Sequence, residues 1–325
     1  MDKEVVPVKN RLSLLICICG FAALALASPQ VIERCRYALN LCLELILPSL
    51  FPFFVLSGLL NRLGLPGFLG RLLAGAASRI YGISGAGASA LFIGLTGGYP
   101  LGAAYIADME RSGAVTAAEG ERLLAFCNNS GPAFIIGAVG AGAFHSSAAG
   151  FFLYGIHILS ALLTGLFFRR KDYCREIQPV QLDSVYISQA LPEAVKQSVA
   201  SLMNVCGFVM CFTVLVGLLD ARGYVSLLCG WAGEHFGLEL AFCHAAFTGV
   251  LELGSSVGAM AGLNITPLNM ALAAGVLGWG GISVHFQTMS VLAGSNIKGA
   301  LHFAGRLISA VIASLLAFML SPLFF

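Results

Sequence analysis

Charged residues are scarce in this chain. Asp, Glu, Lys and Arg make up only 10% of its 325 residues, whereas a soluble domain carries about a quarter. The mean hydropathy is +0.87 and 58% of the residues are hydrophobic, which excludes an ordinary soluble protein and predicts a polytopic membrane protein. The formal net charge is +2, too small to indicate a nucleic-acid partner.

Motifs for metals, cofactors and catalysis are also lacking. The ten cysteines include no Cys-x-x-Cys pair and no His/Cys cluster with zinc spacing. No His-Glu-x-x-His motif or phosphate-binding loop occurs. We therefore expect no metal, no cofactor and no enzymatic activity. Most cysteines lie in apolar runs, where we expect small core residues; examples are Cys17, Cys42, Cys127, Cys206 and Cys211.

One short motif leaves an enzymatic interpretation open. Residues 254–258 match Gly-x-Ser-x-Gly, with Ser256 at the centre. An intramembrane serine hydrolase would use Ser256 as nucleophile and His244 or His285 as base. Segments rich in Gly and Ser produce such matches by chance, so we rank this hypothesis low.

Long apolar runs separated by short polar segments predict about seven membrane crossings, because a spanning helix needs ~20 apolar residues. Residues 12–28 are expected to form a retained first helix and not a signal peptide. Pro48 and Pro52 should kink the second run. The predicted spans are residues 12–28, 37–60, 116–144, 148–168 and 189–219, a helix opening at Thr266, and residues 301–320.

Four clusters of helix-breaking residues interrupt the apolar sequence. Residues 94–102 read Gly-Leu-Thr-Gly-Gly-Tyr-Pro-Leu-Gly, and residues 249–258 form a similar Gly-rich stretch. Freed backbone groups cannot face lipid, so these stretches predict the tips of two re-entrant hairpins, at 84–107 and 241–262. Two further breaks, at 127–132 and 278–283, predict interrupted helices that line a polar site.

The order of these features is the same in both halves of the chain. We predict an all-α membrane protein with two inverted repeats, each holding a re-entrant hairpin and an interrupted helix. The expected divisions are an extra first helix (1–36), a first repeat (37–168), a cytoplasmic linker (169–188) and a second repeat (189–325). Lys and Arg counts favour a cytoplasmic N-terminus and an extracytoplasmic C-terminus, with only Arg34, Arg36 and Arg222 outside.

Polar residues at the hairpin tips and helix breaks are the candidate solute ligands. Asn and Ser both donate and accept hydrogen bonds, which suits a polar planar solute better than a metal. The candidates are Thr96, Gly97, Gly98, Tyr99, Asn128, Asn129, Ser130, Glu252, Ser255, Ser256, Ser283 and Gln287. The glycines have packing as an equal alternative.

Ionisable residues inside apolar segments are candidates for coupling to protons or ions. Glu252 is the strongest, because a carboxylate in such a segment is costly. Glu44 and His285 are weaker, since Glu44 lies nearer a helix end and His285 could simply bond a neighbouring helix. We expect Lys196 and Arg306 to extend to the cytoplasmic surface.

Together the motifs resemble the YlbJ-type sporulation integral membrane proteins, within the nucleoside-recognition or Gate-domain group. The matching stretches are residues 50–58, 94–102, 126–134 and 251–254. The group is similar in layout to concentrative nucleoside transporters, although glycines here replace the glutamate of that family's first tip. This departure argues against sodium-coupled nucleoside transport.

The resemblance implies a role in endospore formation. YlbJ-type proteins are linked to moving dipicolinic acid from the mother cell toward the forespore, so we expect a multi-pass protein of the mother-cell or outer forespore membrane. A transporter of a small, polar, anionic aromatic solute is the leading hypothesis. A non-transporting scaffold is the alternative. Expected partners are the solute and the lipid bilayer; association with further copies or with other sporulation membrane proteins stays open.

Overall fold

The computed structural model describes residues 8–170 and 186–325. Within these ranges the chain consists of helices joined by turns and contains no strand, which confirms the predicted all-α class. Residues 171–185 of the predicted linker lie outside the described residues.

Ten helical segments occupy the described part of the first half, two of them with the wider π-helical turn. They are α1 (Val8–Leu26), α2 (Ser28–Leu41), π1 (Cys42–Ile46), α3 (Leu47–Arg62), α4 (Leu65–Tyr81), α5 (Gly85–Gly97), α6 (Leu101–Arg111), α7 (Ala117–Phe126), π2 (Ala133–Ala143) and α8 (Ser147–Phe167).

The described part of the second half begins with the long helix α9 (Ile187–Ala221). After it come two hairpin helices, a broken helix and a last long helix, in the same order as in the first half. The segments after α9 are α10 (Tyr224–Phe236), α11 (Leu240–Leu251), α12 (Leu253–Met260), α13 (Pro267–Trp279), α14 (Gly281–Leu292), α15 (Ala300–Leu320) and a 3₁₀ turn (Ser321–Leu323).

Length and composition support up to six membrane spans in the described residues. Helices α8, α9 and α15 and the combined segment Pro267–Leu292 qualify directly. Two bent pairs, Ser13–Leu26 with Pro29–Glu44 and Leu50–Arg62 with Gly67–Tyr81, would add two more. The span predicted at 116–144 does not qualify, because its break leaves α7 and π2 with only 10 and 11 residues.

Two helical hairpins stand where the sequence predicts re-entrant segments. Helices α5 and α6 form the first and α11 and α12 the second. The 13 residues of α5 reach only ~20 Å at ~1.5 Å per residue, which is short of a hydrocarbon core of about 30 Å. The arms therefore cannot cross a bilayer, and the tips lie inside the protein.

Side-chain caps fix where several helices begin. Thr116 accepts a hydrogen bond from the Glu119 amide at 3.2 Å and starts α7, as its Thr-x-x-Glu sequence predicts. Thr266 caps α13 with Pro267 in the first turn. Ser84 caps α5, and its own amide donates to the Glu119 carboxylate at 2.7 Å. Glu119 thus ties the first hairpin to α7.

The core joins the two halves. Buried apolar residues of α3, π2, α8, α9, α12, α13 and α15 form one cluster, and α15 packs against α7, α8 and α13. The outer helix faces are also apolar, with Leu26 81% and Phe21 76% exposed. A surface of this kind suits lipid better than water.

The structure adds one detail to the second span and corrects one prediction. The span departs from α-helical geometry at π1, which ends at Ile46, two residues before Pro48. Pro48 lacks the amide hydrogen that would bond the carbonyl four residues earlier, and its ring crowds that carbonyl. Cys17 and Cys211 are exposed and not in the core. Since both helices are apolar on all sides, the sequence alone does not indicate which face is buried.

Candidate functional site

A small internal cavity lies where the two halves meet. Its volume is about 50 Å³, room for one or two water molecules at ~30 Å³ each. Both hairpins, the first helix break and helices α3, α9 and α14 contribute to its wall. The lining residues are Ile46, Leu50, Gly98, Tyr99, Ser130, Gly131, Phe134, Val205, Val209, Glu252, Leu253, Gly254, Val284 and Gln287.

Backbone packing between glycines brings the first hairpin tip onto the first helix break. Gly98 has a φ of 81°, and a Cβ there would stand 2.9 Å from the Gly131 nitrogen. A Cβ on Gly94 would overlap the Cys127 carbonyl oxygen. Only glycine allows this approach, which places Tyr99 and Ser130 on the same side of the cavity.

Asn128 connects the first hairpin to the second half. Its Oδ1 accepts from the Ala103 amide at 3.2 Å, near the start of α6, and its Nδ2 donates to the Thr288 hydroxyl at 2.9 Å. The side chain is fully buried and does not line the cavity. It satisfies backbone freed at the hairpin tip and ties it to α14.

Asn129, Arg306 and His302 cap the broken end of α7. Asn129 donates to the Phe126 carbonyl at 2.8 Å, and Arg306 donates to the Ala125 carbonyl at 3.2 Å. The Nδ1 of His302 lies 3.2 Å from the Leu124 carbonyl oxygen. A cation near a helix C-terminus complements the helix dipole.

The prediction that Arg306 reaches the cytoplasmic surface is wrong. Its side chain is 0% exposed, and its NH1 donates to the Tyr99 hydroxyl at 3.2 Å and to the Asn129 Oδ1 at 2.9 Å. Because α15 packs between both halves, position 306 has no path to water. Lys196, by contrast, is exposed, and its cytoplasmic position stays a prediction.

Among the described residues, Arg306 has no carboxylate within salt-bridge distance, and its Nε has no hydrogen-bond partner. Buried charges are normally paired. Here the compensation comes from one carbonyl, one amide oxygen and one phenol. The guanidinium therefore keeps an excess positive charge beside the tip that carries Tyr99.

Glu252 is the buried acid of the second hairpin. Its two carboxylate oxygens accept from the Gly254 amide at 2.8 Å and the Ser255 amide at 2.5 Å, capping the short helix α12. The residue is 2% exposed and lines the cavity. The side chain therefore satisfies two amides that the first turn of α12 would otherwise leave without a partner.

The second helix break brings α14 against the first hairpin tip. Gly280 and Gly281 have φ values of 84° and 82°, and a Cβ on Gly280 would stand 3.2 Å from the Tyr99 hydroxyl. In α14, Gln287 lines the cavity and donates to the Ser283 hydroxyl at 3.2 Å. Ser283 itself is fully buried and bonds Gln287.

Five of the twelve candidate ligands line this cavity, namely Gly98, Tyr99, Ser130, Glu252 and Gln287. The other seven serve the surrounding structure. Besides Asn128, Asn129 and Ser283, Thr96 donates to the Phe92 carbonyl, Ser256 to the Ala245 carbonyl, and Ser255 contacts Thr213. Gly97 packs against Leu101.

The remaining ionisable candidates lie away from the cavity wall. Glu44 is exposed on π1. His285 is buried, with its ring 5.0 Å from that of His302 and 4.4 Å from that of Trp279. For the hydrolase hypothesis, the Ser256 hydroxyl bonds a backbone carbonyl at 2.7 Å, and His244 lies 3.9 Å from Asp220. The described contacts therefore do not include a Ser256–His pair.

Sequence reasoning missed Arg306 and two further histidines. His157 and His302 are 1% and 0% exposed, and the His157 Nε2 accepts from the Ser130 amide at 3.0 Å. One signal was available: a charged residue in the middle of a long apolar helix is by default a functional candidate. The apolar lining residues carried no such signal.

Fold and site together define an integral, multi-pass, all-helical membrane protein in which both halves of the chain contribute to the wall of the cavity described above. Comparison with the profiles of known families gives no match. Over 93% of its length the chain is 29% identical to the sporulation integral membrane protein YlbJ of Bacillus subtilis (strain 168), and the match covers 81% of that protein. This similarity supports the resemblance to the YlbJ-type proteins.

A solved structure of a CNTnw variant in its intermediate 3 state is also similar. The match covers 97% of this chain and 84% of that one, with 14% sequence identity and a TM-score of 0.47.

Proposed function

We propose that this protein is a membrane transporter for a small, polar, anionic aromatic solute, with dipicolinic acid as the leading candidate. It would act in the mother-cell or outer forespore membrane during endospore formation. The observation that carries the proposal is the internal cavity, because its wall combines Tyr99 and Ser130 from the first half with Glu252 and Gln287 from the second.

The composition of the cavity wall supports solute binding. Polar groups from broken helices converge within an apolar wall, the usual arrangement of a small-molecule site. Secondary transporters place such discontinuous helices around the solute at the middle of the membrane. The similarity to a sporulation integral membrane protein supports the cellular setting and does not by itself indicate a solute.

The size of the cavity requires movement. A volume of about 50 Å³ is well below the ~300 Å³ of a small ligand site, so a pyridine dicarboxylate requires the wall to open. Hinge or shear motion of one packed unit against another is the general route for such opening. We assign this motion to the two hairpins, whose arms are short.

We assign Glu252 to coupling. It is the one acid on the cavity wall, and binding of a proton or a cation there would remove a repulsive charge before an anionic solute enters. We propose no covalent chemistry, so a Ser256→Ala variant should retain activity.

Uptake by proteoliposomes tests the proposal. Purified protein should accumulate radiolabelled dipicolinate, and excess unlabelled dipicolinate, but not nucleosides, should compete. Glu252→Ala and Gln287→Ala, at two residues that line the cavity, should abolish uptake while protein levels persist. Normal uptake in both, or no uptake by the unmodified protein, would contradict the proposal; the latter, combined with loss of sporulation in a deletion strain, favours the scaffold alternative.

A further inference from the structure

The positive end of the cavity lies at the first hairpin tip, and this inference rests on the proposed function. Tyr99 lines the cavity, and its hydroxyl oxygen accepts from the Arg306 NH1 at 3.2 Å. The described residues include no acceptor for the phenolic proton of Tyr99. That proton is free to be donated to a group inside the cavity.

Arg306 makes the Tyr99 hydroxyl a stronger donor. A phenol whose oxygen accepts a bond from a cation is polarised, and chains of hydrogen bonds strengthen one another in a low-dielectric interior. The guanidinium itself is 0% exposed and does not line the cavity. It therefore acts through Tyr99 as a positioning residue.

Ser130 supplies a second, independent donor. It lines the cavity and is 2% exposed, and its hydroxyl has no hydrogen-bond partner. A buried hydroxyl without a partner costs free energy, so its presence at this wall indicates a ligand. The contact between Gly98 and Gly131 holds Ser130 next to Tyr99.

The opposite wall carries an acidic side chain. Glu252 presents a carboxyl group whose two oxygens already accept from backbone amides, and in its ionised form it repels an anion. A negatively charged group is favoured at the Tyr99 side and disfavoured at the Glu252 side. This polarity would orient a solute that carries a carboxylate.

We propose that Tyr99 and Ser130, with Arg306 behind Tyr99, form a carboxylate subsite of the solute cavity. The subsite binds one carboxylate through two hydroxyl donors, and the nearby guanidinium supplies the positive potential. It discriminates a carboxylate from an uncharged amide of the same shape.

Calorimetric titration of the purified full-length protein tests this subsite. The probes are dipicolinate, the one-carboxylate picolinate and the uncharged pyridine-2,6-dicarboxamide. The unmodified protein should prefer both carboxylates to the diamide. Because a hydrogen bond to a charged group is worth over about 1.4 kcal/mol, Tyr99→Phe should weaken carboxylate binding at least about tenfold and leave diamide binding nearly unchanged.

Two companion variants and one control complete the design. Ser130→Ala should act in the same direction as Tyr99→Phe. Arg306→Lys should retain part of the preference because it keeps the charge, which a purely structural role would not predict. Tyr105→Phe is the matched control, since the Tyr105 hydroxyl contacts Ser89 at 2.9 Å and not the cavity; it should bind like the unmodified protein.

The outcomes separate the subsite from the proposed function. If dipicolinate binds and neither Tyr99→Phe nor Ser130→Ala reduces the preference for carboxylates, the subsite is wrong and the transport proposal stands. If picolinate binds with the expected dependence on Tyr99 but dipicolinate does not bind, the subsite stands and dipicolinate is the wrong solute. Binding of the diamide as tightly as the carboxylates would overturn the subsite.

Discussion

The Arg306 guanidinium donates a 3.2 Å hydrogen bond to the hydroxyl of Tyr99, which lies 207 positions earlier in the chain. The contact joins the last helix to the tip of the first hairpin. The same guanidinium also holds Asn129 and the end of α7. One side chain thus fixes both polar elements that the first half contributes to the centre of the protein.

Replacing Arg306 by leucine should destabilise the fold. The change leaves the Asn129 amide oxygen and the Ala125 carbonyl without their donor, and each unsatisfied buried group costs about 1–3 kcal/mol. We expect a fall of about 5 °C or more in the melting temperature of the detergent-purified protein. Lys196→Leu is the control, because the exposed Lys196 should contribute less than about 0.5 kcal/mol. Equal shifts in both variants would contradict this account of Arg306.

Gly94→Ala should disrupt the contact between the first hairpin and the helix break. Its Cβ would overlap the Cys127 carbonyl oxygen, which forces the backbone apart and costs several kcal/mol. Gly155→Ala in α8 is the matched control, because a Cβ there meets nothing within 4 Å and alanine favours a helix by about 0.5–1 kcal/mol. The melting temperature should fall in Gly94→Ala and stay the same or rise in Gly155→Ala. Size-exclusion chromatography should show aggregation only for Gly94→Ala. A well-folded Gly94→Ala protein would show that the close packing is wrong.

Glu252→Ala should abolish transport at a modest cost in stability. Loss of an N-cap side chain costs about 0.5–2 kcal/mol, so the protein should still be produced, while the acid of the cavity wall is gone. Glu239→Ala is the comparison: Glu239 precedes α11 in the same half and its side chain makes no cap bond. Flux through proteoliposomes should vanish only in the first variant. Preserved flux in Glu252→Ala would remove the carboxylate from the mechanism.

Reporter fusions should place residue 180 and the C-terminus on opposite sides of the membrane. Arg169, Arg170 and Lys171 precede that position, and positive segments stay in the cytoplasm. If the second half then crosses the membrane an odd number of times, the C-terminus lies on the extracytoplasmic side. We expect fluorescence from a GFP fusion at 180 and alkaline phosphatase activity only at the C-terminus. Signals on the same side would contradict the inverted arrangement.

The breaks in the apolar runs could be located from the sequence because lipid offers no hydrogen-bond partner to the backbone groups that a break exposes. The segments at 94–102 and 127–132 hold Gly, Pro and Asn in the middle of apolar runs, and freed backbone at that depth must be buried in protein. The structure has helix ends at both positions. Hairpins and interruptions were predictable for that reason.

The identity of the cavity-lining side chains was not predictable to the same extent. Asn128 and Asn129 look like ligands in the sequence, but their side-chain amides form hydrogen bonds with the backbone. Asn128 bonds the Ala103 amide near the hairpin tip, and Asn129 bonds the Phe126 carbonyl at the end of α7. A polar residue beside a helix break has two uses, and spacing does not distinguish them. Arg306 was misjudged because its depth depends on how α15 packs, which hydropathy does not report.

The most direct test of the shared solute cavity is an experimental structure of the full-length protein in lipid nanodiscs with saturating dipicolinate. One solute should lie between the two hairpin tips, with a carboxylate beside Tyr99 and Ser130 and with Gln287 in contact. The cavity should then be larger than its volume of about 50 Å³ without solute. A solute bound elsewhere, or a cavity that stays closed and empty at saturation, would contradict the shared solute cavity.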